Sequence, residues 1–341
     1  MVDKGKDIVN KAGKQRRSFE PTGQEKTAVL MDGVSSMELF AQPDGRYLKV
    51  LYDLSLNIPV GVCHGITGEG AFELQLVSEI IGNVKPHEKG QCSLLEIGMM
   101  RQKRRILPHV YYVNDQRVLF DHMHVLGYLM FASEHMEGKP DKKQRDWLRL
   151  LLRTGLYPFT LTYIRALSPA EYAIVSALVA YGTKSRLVVM DFSAIDVPEH
   201  LIKPFSALMR EFVLSGKTVV LASRSRELVQ SACSSASFLI DGTIEISDSV
   251  ASLCAAYDQR ILLVSTRFPD AAALALKAAF PALRVQTENY GVSLHETEGE
   301  RTGYTMSAIS RALEAAQISF DSISVPDPSL EEAFQEVKRA L

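Results

Sequence analysis

The residues best suited to chemistry lie between Gly65 and Glu73. The run Gly65-Ile66-Thr67-Gly68-Glu69-Gly70-Ala71-Phe72-Glu73 follows an apolar, strand-like segment and opens a helix-like one, Leu74 to Ile81. A glycine-rich turn between strand and helix is the geometry of a phosphate-binding loop, because backbone N–H groups and a helix N-terminus attract an anion. The working pattern is G-x-x-x-x-G-K-[ST], in which the Lys holds the β- and γ-phosphates and the hydroxyl binds Mg²⁺. Gly65, Gly68 and Gly70 keep the glycine spacing, but Ala71 stands at the Lys position and Phe72 at the hydroxyl position. The stretch reads as a phosphate cradle without its charged parts.

Other chemistry-bearing residues are sparser. Leu187-Val188-Val189-Met190-Asp191 is a continuous apolar run ending in a carboxylate. Such a run predicts a buried parallel strand, with Asp191 at the carboxyl end where α/β sheets bind ligands. In Leu167-Ser168-Pro169-Ala170-Glu171, Ser168 is an N-cap, Pro169 suits N1 and Glu171 completes a capping box. Asp121-His122-Met123-His124 holds metal-ligand types, but alternate residues do not share a helix face and no second ligand cluster accompanies them, so no metal is expected. The basic run Arg101 to Arg105 reads as a solvated face. Phe40 or Tyr47 has the ring to stack on an adenine, although a half-buried strand aromatic is the simpler reading of either.

The elements that must position these residues alternate strand and helix. Thr27 to Leu39 and Tyr47 to Ile58 read as an antiparallel pair around the turn Gln42-Pro43-Asp44-Gly45. Gly82 ends the helix after the glycine stretch. Lys85 to Gly90 is a turn, Ser93 to Ile97 a short strand ending at Gly98, and His109 to Val113 a strand followed by Asn114. Residues 121 to 166 are helical, with Trp147, Leu148, Leu151 and Leu152 of an amphipathic stretch toward a core. After Asp191 come a helix (Leu201 to Leu214), a second buried strand (Lys217 to Ala222), a helix (Glu227 to Cys233) and a hairpin turning at Asp241-Gly242. From Arg260 the order is β-α-β-β-α-β, a split βαβ unit, closed by a helix from Glu331 to Ala340 that Pro328-Ser329-Leu330 opens. This predicts a polar, basic and disordered tail (1–27), a larger α/β domain (28–258) and a small C-terminal α+β domain (259–341).

Composition limits the function classes. The chain has 341 residues, 46% hydrophobic and 23% charged, so it has ample core. A net charge of -2 gives no case for nucleic acid. The four cysteines form no C-x-x-C pair, which fits a reduced compartment and no zinc site. Apolar runs such as Leu126 to Ala132 fall far short of the ~18 residues that a membrane helix needs. A cytoplasmic chain is expected, which reaches a membrane only through partners.

Taken in order, these pieces resemble the ATP-binding subunit of an ABC transporter, of the subgroup that drives polytopic exporter permeases. The resemblance covers about residues 28 to 341. Leu51-Tyr52-Asp53-Leu54-Ser55-Leu56 with Ile58-Pro59 and Gly61 is similar to the strand before the phosphate loop. Gly82, Lys85-Pro86 and Gly90 match the turn after the loop helix, and Asp241-Gly242 the last hairpin. Asp327-Pro328-Ser329-Leu330-Glu331-Glu332-Ala333-Phe334 is similar to the subgroup's closing motif. The fold implied is a P-loop NTPase-like nucleotide-binding domain with a helical subdomain at about 121–166, followed by the small domain.

The same resemblance marks what is missing. Besides Ala71 and Phe72, Asn114 stands where the family has a Gln that senses Mg²⁺ and water. Leu167-Ser168-Pro169-Ala170-Glu171 stands for the Leu-Ser-Gly-Gly signature. Asp191 is kept, Phe192 replaces the water-polarising Glu, Arg224 replaces the switch His, and Asp196 is a survivor of the loop that follows Asp191. Phosphoryl transfer depends on positioning and on neutralising charge at the γ-phosphate. The implied protein is therefore a non-hydrolysing cassette with no catalytic residue. Its vestigial nucleotide site is Gly65, Gly68, Gly70, Ala71, Phe72, Asn114, Ser168 and Asp191. ATP is the candidate ligand and Mg²⁺ is not expected. The implied partners are a polytopic permease and a second, intact cassette, on the inner face of a membrane. Two other readings stay open: a weak ATPase using Glu73 or Asp191, and a soluble regulatory or scaffold protein that kept the fold.

Overall fold

The structure is a computed structural model that describes residues 27–41, 47–114, 116, 120–133, 139–257, 260–288, 291–295 and 305–341. The tail before residue 27, the turn at 42–45 and Asn289-Tyr290 lie outside the described residues. The chain divides into two compact units, one up to Ala251 and one from Ser252 onward. The boundary expected from the sequence is 258/259.

The first unit begins with β1 (Thr27–Ser35), a short hairpin of β2 (Leu39–Ala41) and β3 (Tyr47–Lys49), and β4 (Leu54–Pro59). β1 and β4 pair antiparallel, and β4 alternates buried and outward residues, with Leu54, Leu56 and Ile58 inward. Next come β5 (Cys63–Gly68) and α1 (Ala71–Ile81). The strand that leads into the helix is therefore β5, not the 51–61 segment expected, which turns at Val60-Gly61-Val62 and belongs to another sheet. β6 (Lys89–Leu94) and β7 (Ile97–Gly98) follow, joined by Leu95-Glu96, both with positive φ. The single strand expected at 93–97 is thus a hairpin, and α2 (Met99–Ile106) carries the basic run, with Lys103, Arg104 and Arg105 exposed. The first sheet has the order β4-β1-β6-β7.

The second sheet holds the candidate site. It contains β5, β8 (Val110–Val113), β9 (Leu187–Phe192), β10 (Thr218–Ser223), β11 (Ser235–Ile240) and β12 (Thr243–Ser249) in the order β12-β11-β5-β10-β9-β8. All pairings are parallel except β11 with β12, which turns at Asp241-Gly242, both at positive φ. β5, β9 and β10 are buried along their whole length, as central parallel strands covered on both faces must be. Leu74, Leu76, Val77, Ile80 and Ile81 of α1 share one core cluster with Val29, Met31 and Leu56 of the first sheet and with Leu187, Val189, Val220 and Leu239 of the second. α1 is thus clamped between two sheets, and each of its fully buried aliphatic side chains contributes about 1.5–3 kcal/mol.

Between β8 and β9 the chain forms α3 (Val125–Ala132), α4 (Pro140–Thr154), single-turn helices at Tyr157–Phe159 and Ile164–Ala166, and α5 (Pro169–Gly182). α4 ends at Gly155, whose φ of 75° is the left-handed C′ conformation that glycine adopts without strain. α6 (Glu199–Leu214) and α7 (Arg226–Ala232) complete this unit's crossovers.

α8 (Val250–Tyr257) spans the division. The second unit contains β13 (Arg260–Ser265), α9 (Pro269–Ala279), β14 (Arg284–Glu288), β15 (Gly291–His295), α10 (Met306–Ala315), β16 (Ser322–Ser324) and α11 (Leu330–Ala340). Its antiparallel sheet has the order β14-β15-β13-β16, that of a split βαβ unit. The last strand is shorter than the run from Ile318 to Val325 suggested. Ser329 caps α11 through the N–H groups of Glu331 and Glu332.

Candidate functional site

The glycine stretch is built differently from a phosphate loop. β5 stays in register with β11 as far as Gly68, opposite Leu239. Only Glu69 and Gly70 remain between strand and helix, so three of the four residues between Gly65 and Gly70 belong to the strand rather than to a loop. Gly65 and Gly68 are therefore strand residues, and packing accounts for both. A Cβ on Gly65 would lie 2.3 Å from Val229 Cγ1 and 3.3 Å from Cys233 Sγ. One on Gly68 would lie 2.5 Å from the Leu239 carbonyl oxygen.

Gly70 is the N-cap of α1 and provides no side-chain cap. Glu73, at N3, curls back over it, so that a Cβ on Gly70 would meet Glu73 Oε2 at 2.8 Å. The chain's own carboxylate thus lies beside Gly70 at the helix N-terminus. Burial pushes the Glu73 carboxyl above its ordinary pKa, and the neighbouring charges of Asp241 and Glu69 push it in the same direction. Ala71 is half-buried. Phe72 is 43% exposed, and its ring meets Phe40 of β2 edge-on at 6.1 Å and Lys85 Nζ at 6.0 Å. That ammonium is already paired with Glu79 at 2.8 Å and Glu38 at 3.5 Å.

At the carboxyl end of the sheet, Asp191 is 7% exposed and both its oxygens are taken. The Tyr112 hydroxyl donates to Oδ2 at 2.9 Å, and Ser193 donates to Oδ1 from its N–H at 3.1 Å and its Oγ at 2.6 Å. Burial and the Asp191 charge push the Tyr112 phenol upward, so it stays a donor. Its ring lies where a Cβ on Gly82 would come within 2.5 Å, which ties β8 to the end of α1. Phe192 is fully buried against Phe205 of α6, with ring centroids 5.1 Å apart, and faces the helix layer. Arg224 donates from Nε to the Ser193 carbonyl at 2.9 Å and lies 3.8 Å from Asp196. Asn114 follows β8 and accepts from the Gln116 N–H at 3.2 Å.

Ser168 is exposed and closes a capping box: its Oγ accepts from the Glu171 N–H at 3.3 Å, and its N–H donates to Glu171 Oε2 at 2.7 Å. The structure thus gathers Gly70, Ala71, Phe72, Glu69, Glu73 and Asp241 around the head of α1. Tyr112, Ser193 and Asp241 are not among the expected site residues, and Glu73 is expected there only in the weak-ATPase reading. The position of Tyr112 two residues before Asn114 was the available signal. His124 pairs with Tyr163, with rings 4.5 Å apart, and among the described residues no group of three His, Cys, Asp or Glu side chains is placed to hold a metal. A Mg²⁺-bound triphosphate does not fit the head of α1. It would find no Lys at position 71 and no hydroxyl at position 72, and it would face the carboxylates of Glu69, Glu73 and Asp241.

No family model matches the sequence, and no curated protein matches it. Solved structures do match the fold. The ATP-binding subunit of an ABC transporter superposes with a TM-score of 0.52 and 16% identity, over 68% of this chain and 94% of that one. A dimeric ATP-binding cassette in a post-hydrolysis state with ADP and Pi gives 0.52 and 16%, over 65% and 98%. The cbiO1 protein from Clostridium perfringens, part of the ABC transporter complex cbiONQ, gives 0.51 and 14%, over 75% and 97%. The chain has the ATP-binding-cassette fold.

Proposed function

We propose that this cassette-fold chain is a non-hydrolysing subunit of a membrane ABC transporter, pairing with a catalytically intact cassette and a polytopic permease. The observation that carries the reading is the Glu73 carboxylate folded over Gly70 at the head of α1. A helix N-terminus that would receive phosphate instead holds an acid of its own chain, with Glu69 and Asp241 adding charge of the same sign. Like charges there oppose the γ-phosphate, and nothing at Phe192 orients water. The weak-ATPase alternative draws no support from Asp191, whose two oxygens are held by Tyr112 and Ser193.

Partnership supports the reading by analogy: cbiO1 is part of a transporter complex, and the ADP-bound cassette is a dimer. No helix among the described residues is long and apolar enough to cross a membrane, so attachment to the inner face would come through the permease. The test is mild detergent extraction of native membranes, with purification through a tag on this chain. A polytopic protein and a cassette with an intact G-x-x-x-x-G-K-[ST] motif are expected in stoichiometric yield. Recovery of the chain alone from the soluble fraction would favour the scaffold reading and overturn this one.

A further inference from the structure

A cavity of about 560 Å³ lies between α4 and the C-terminal end of α5. Its floor is Trp147, Leu150 and Tyr181. The floor is fixed in advance: the indole N–H donates to Ser133 Oγ at 3.0 Å, and Tyr181 stands edge-on to Phe212 at 5.3 Å. The wall at the end of α5 is fixed by Lys217, whose ammonium donates to the carbonyls of Ala180, Thr183 and Ser185. Volume and preformed aromatic lining are those of a small-molecule site.

The rim carries Lys142, Lys143, Arg149 and Arg153, with Asp146 as the one carboxylate of the lining. Arg153 is paired with Glu211 at 2.8 Å, and Arg149 lies 3.9 Å from Asp146. Lys143 donates to the Ser133 carbonyl at 3.0 Å, and among the lining residues the cationic side chains outnumber the carboxylate four to one. An apolar floor under a cationic rim selects a molecule with an apolar body and one negative group. We infer that this cavity binds a small, soluble amphipathic monoanion, such as an arylalkyl or medium-chain carboxylate. The site is separate from the head of α1 and does not depend on the transporter reading.

Trp147 is the only tryptophan of the chain, so its emission reports on this cavity. The full chain is titrated with 4-phenylbutyrate and with its uncharged analogue 4-phenylbutanol, with calorimetry in parallel. The expected result is a saturable one-to-one change in Trp147 emission, with the alcohol about tenfold weaker. The doubly reversed variant Lys142→Glu, Arg149→Glu, both at exposed positions, should fold as the parent does by circular dichroism and bind the acid about tenfold more weakly. Absence of a saturable change, as for a groove that takes only a polypeptide, overturns the site. Equal binding of acid and alcohol, or binding indifferent to the charge reversal, overturns the assignment of an anion.

Discussion

Gly65→Ala separates the two explanations of the glycine stretch. If Gly65 serves a phosphate cradle, the change affects ligand binding. If it serves the contact between β5 and α7, the change costs stability with no ligand present. The new methyl would start 2.3 Å from Val229 Cγ1, where carbon atoms rest at about 3.5–4.0 Å. Val229 is fully buried and β-branched, so its side chain has little freedom to turn away. Overpacking of this kind costs about 1–3 kcal/mol, and the lower entropy of the unfolded Ala chain returns up to about 1 kcal/mol. A net loss of about 1–2 kcal/mol is expected. Val229→Ala alone should cost about 2 kcal/mol, from two buried carbons and the void they leave. In the double variant the added methyl occupies that void, so the combined loss should fall short of the sum by at least about 1 kcal/mol. Urea unfolding followed by Trp147, which lies in the same unit, measures all three. A Gly65→Ala midpoint equal to that of the parent, or additivity within about 0.5 kcal/mol, refutes the packing account.

Two further outcomes are expected. Ser168→Ala should lower stability by about 1 kcal/mol through loss of the capping box, read in the same unfolding assay. His64 is fully buried between Ser235 Oγ and Ser237 Oγ, each 2.8 Å away, and burial pushes its pKa down from 6.5 to about 4. Its folded pKa lies below the unfolded one, so its contribution is complete above about pH 6.5 and is lost as pH falls toward 4, a difference of roughly 3 kcal/mol. Unfolding midpoints from pH 7.5 to 4 should therefore fall more steeply for the parent than for His64→Gln; parallel curves would show that His64 does not titrate in this way.

Much of this architecture was legible because its signals are local. Leu187 to Asp191 is an unbroken apolar run and is a central strand; Ser168, Pro169 and Glu171 spell a capping box and form one; Asp241-Gly242 marks a hairpin turn and makes it. What escaped depends on register and on contacts distant in sequence. Glycine spacing does not reveal that β5 runs on to Gly68, because a strand glycine packed under α7 and a loop glycine are the same letter. The hairpin at Leu95-Glu96 has no Gly, Asn or Pro at its corner, so its positive φ values carry no signature. The Tyr112 hydroxyl on Asp191 is a tertiary contact that no window of sequence displays.

The central claim is that the head of α1, with Glu73 beside Gly70 and with neither Lys at 71 nor a hydroxyl at 72, supports no phosphoryl transfer. Steady-state phosphate release from Mg²⁺-ATP by the full chain, against a mock purification, tests it most directly. The account predicts release indistinguishable from the mock at every protein concentration. Release that rises in proportion to the protein and disappears in Asp191→Asn would contradict it.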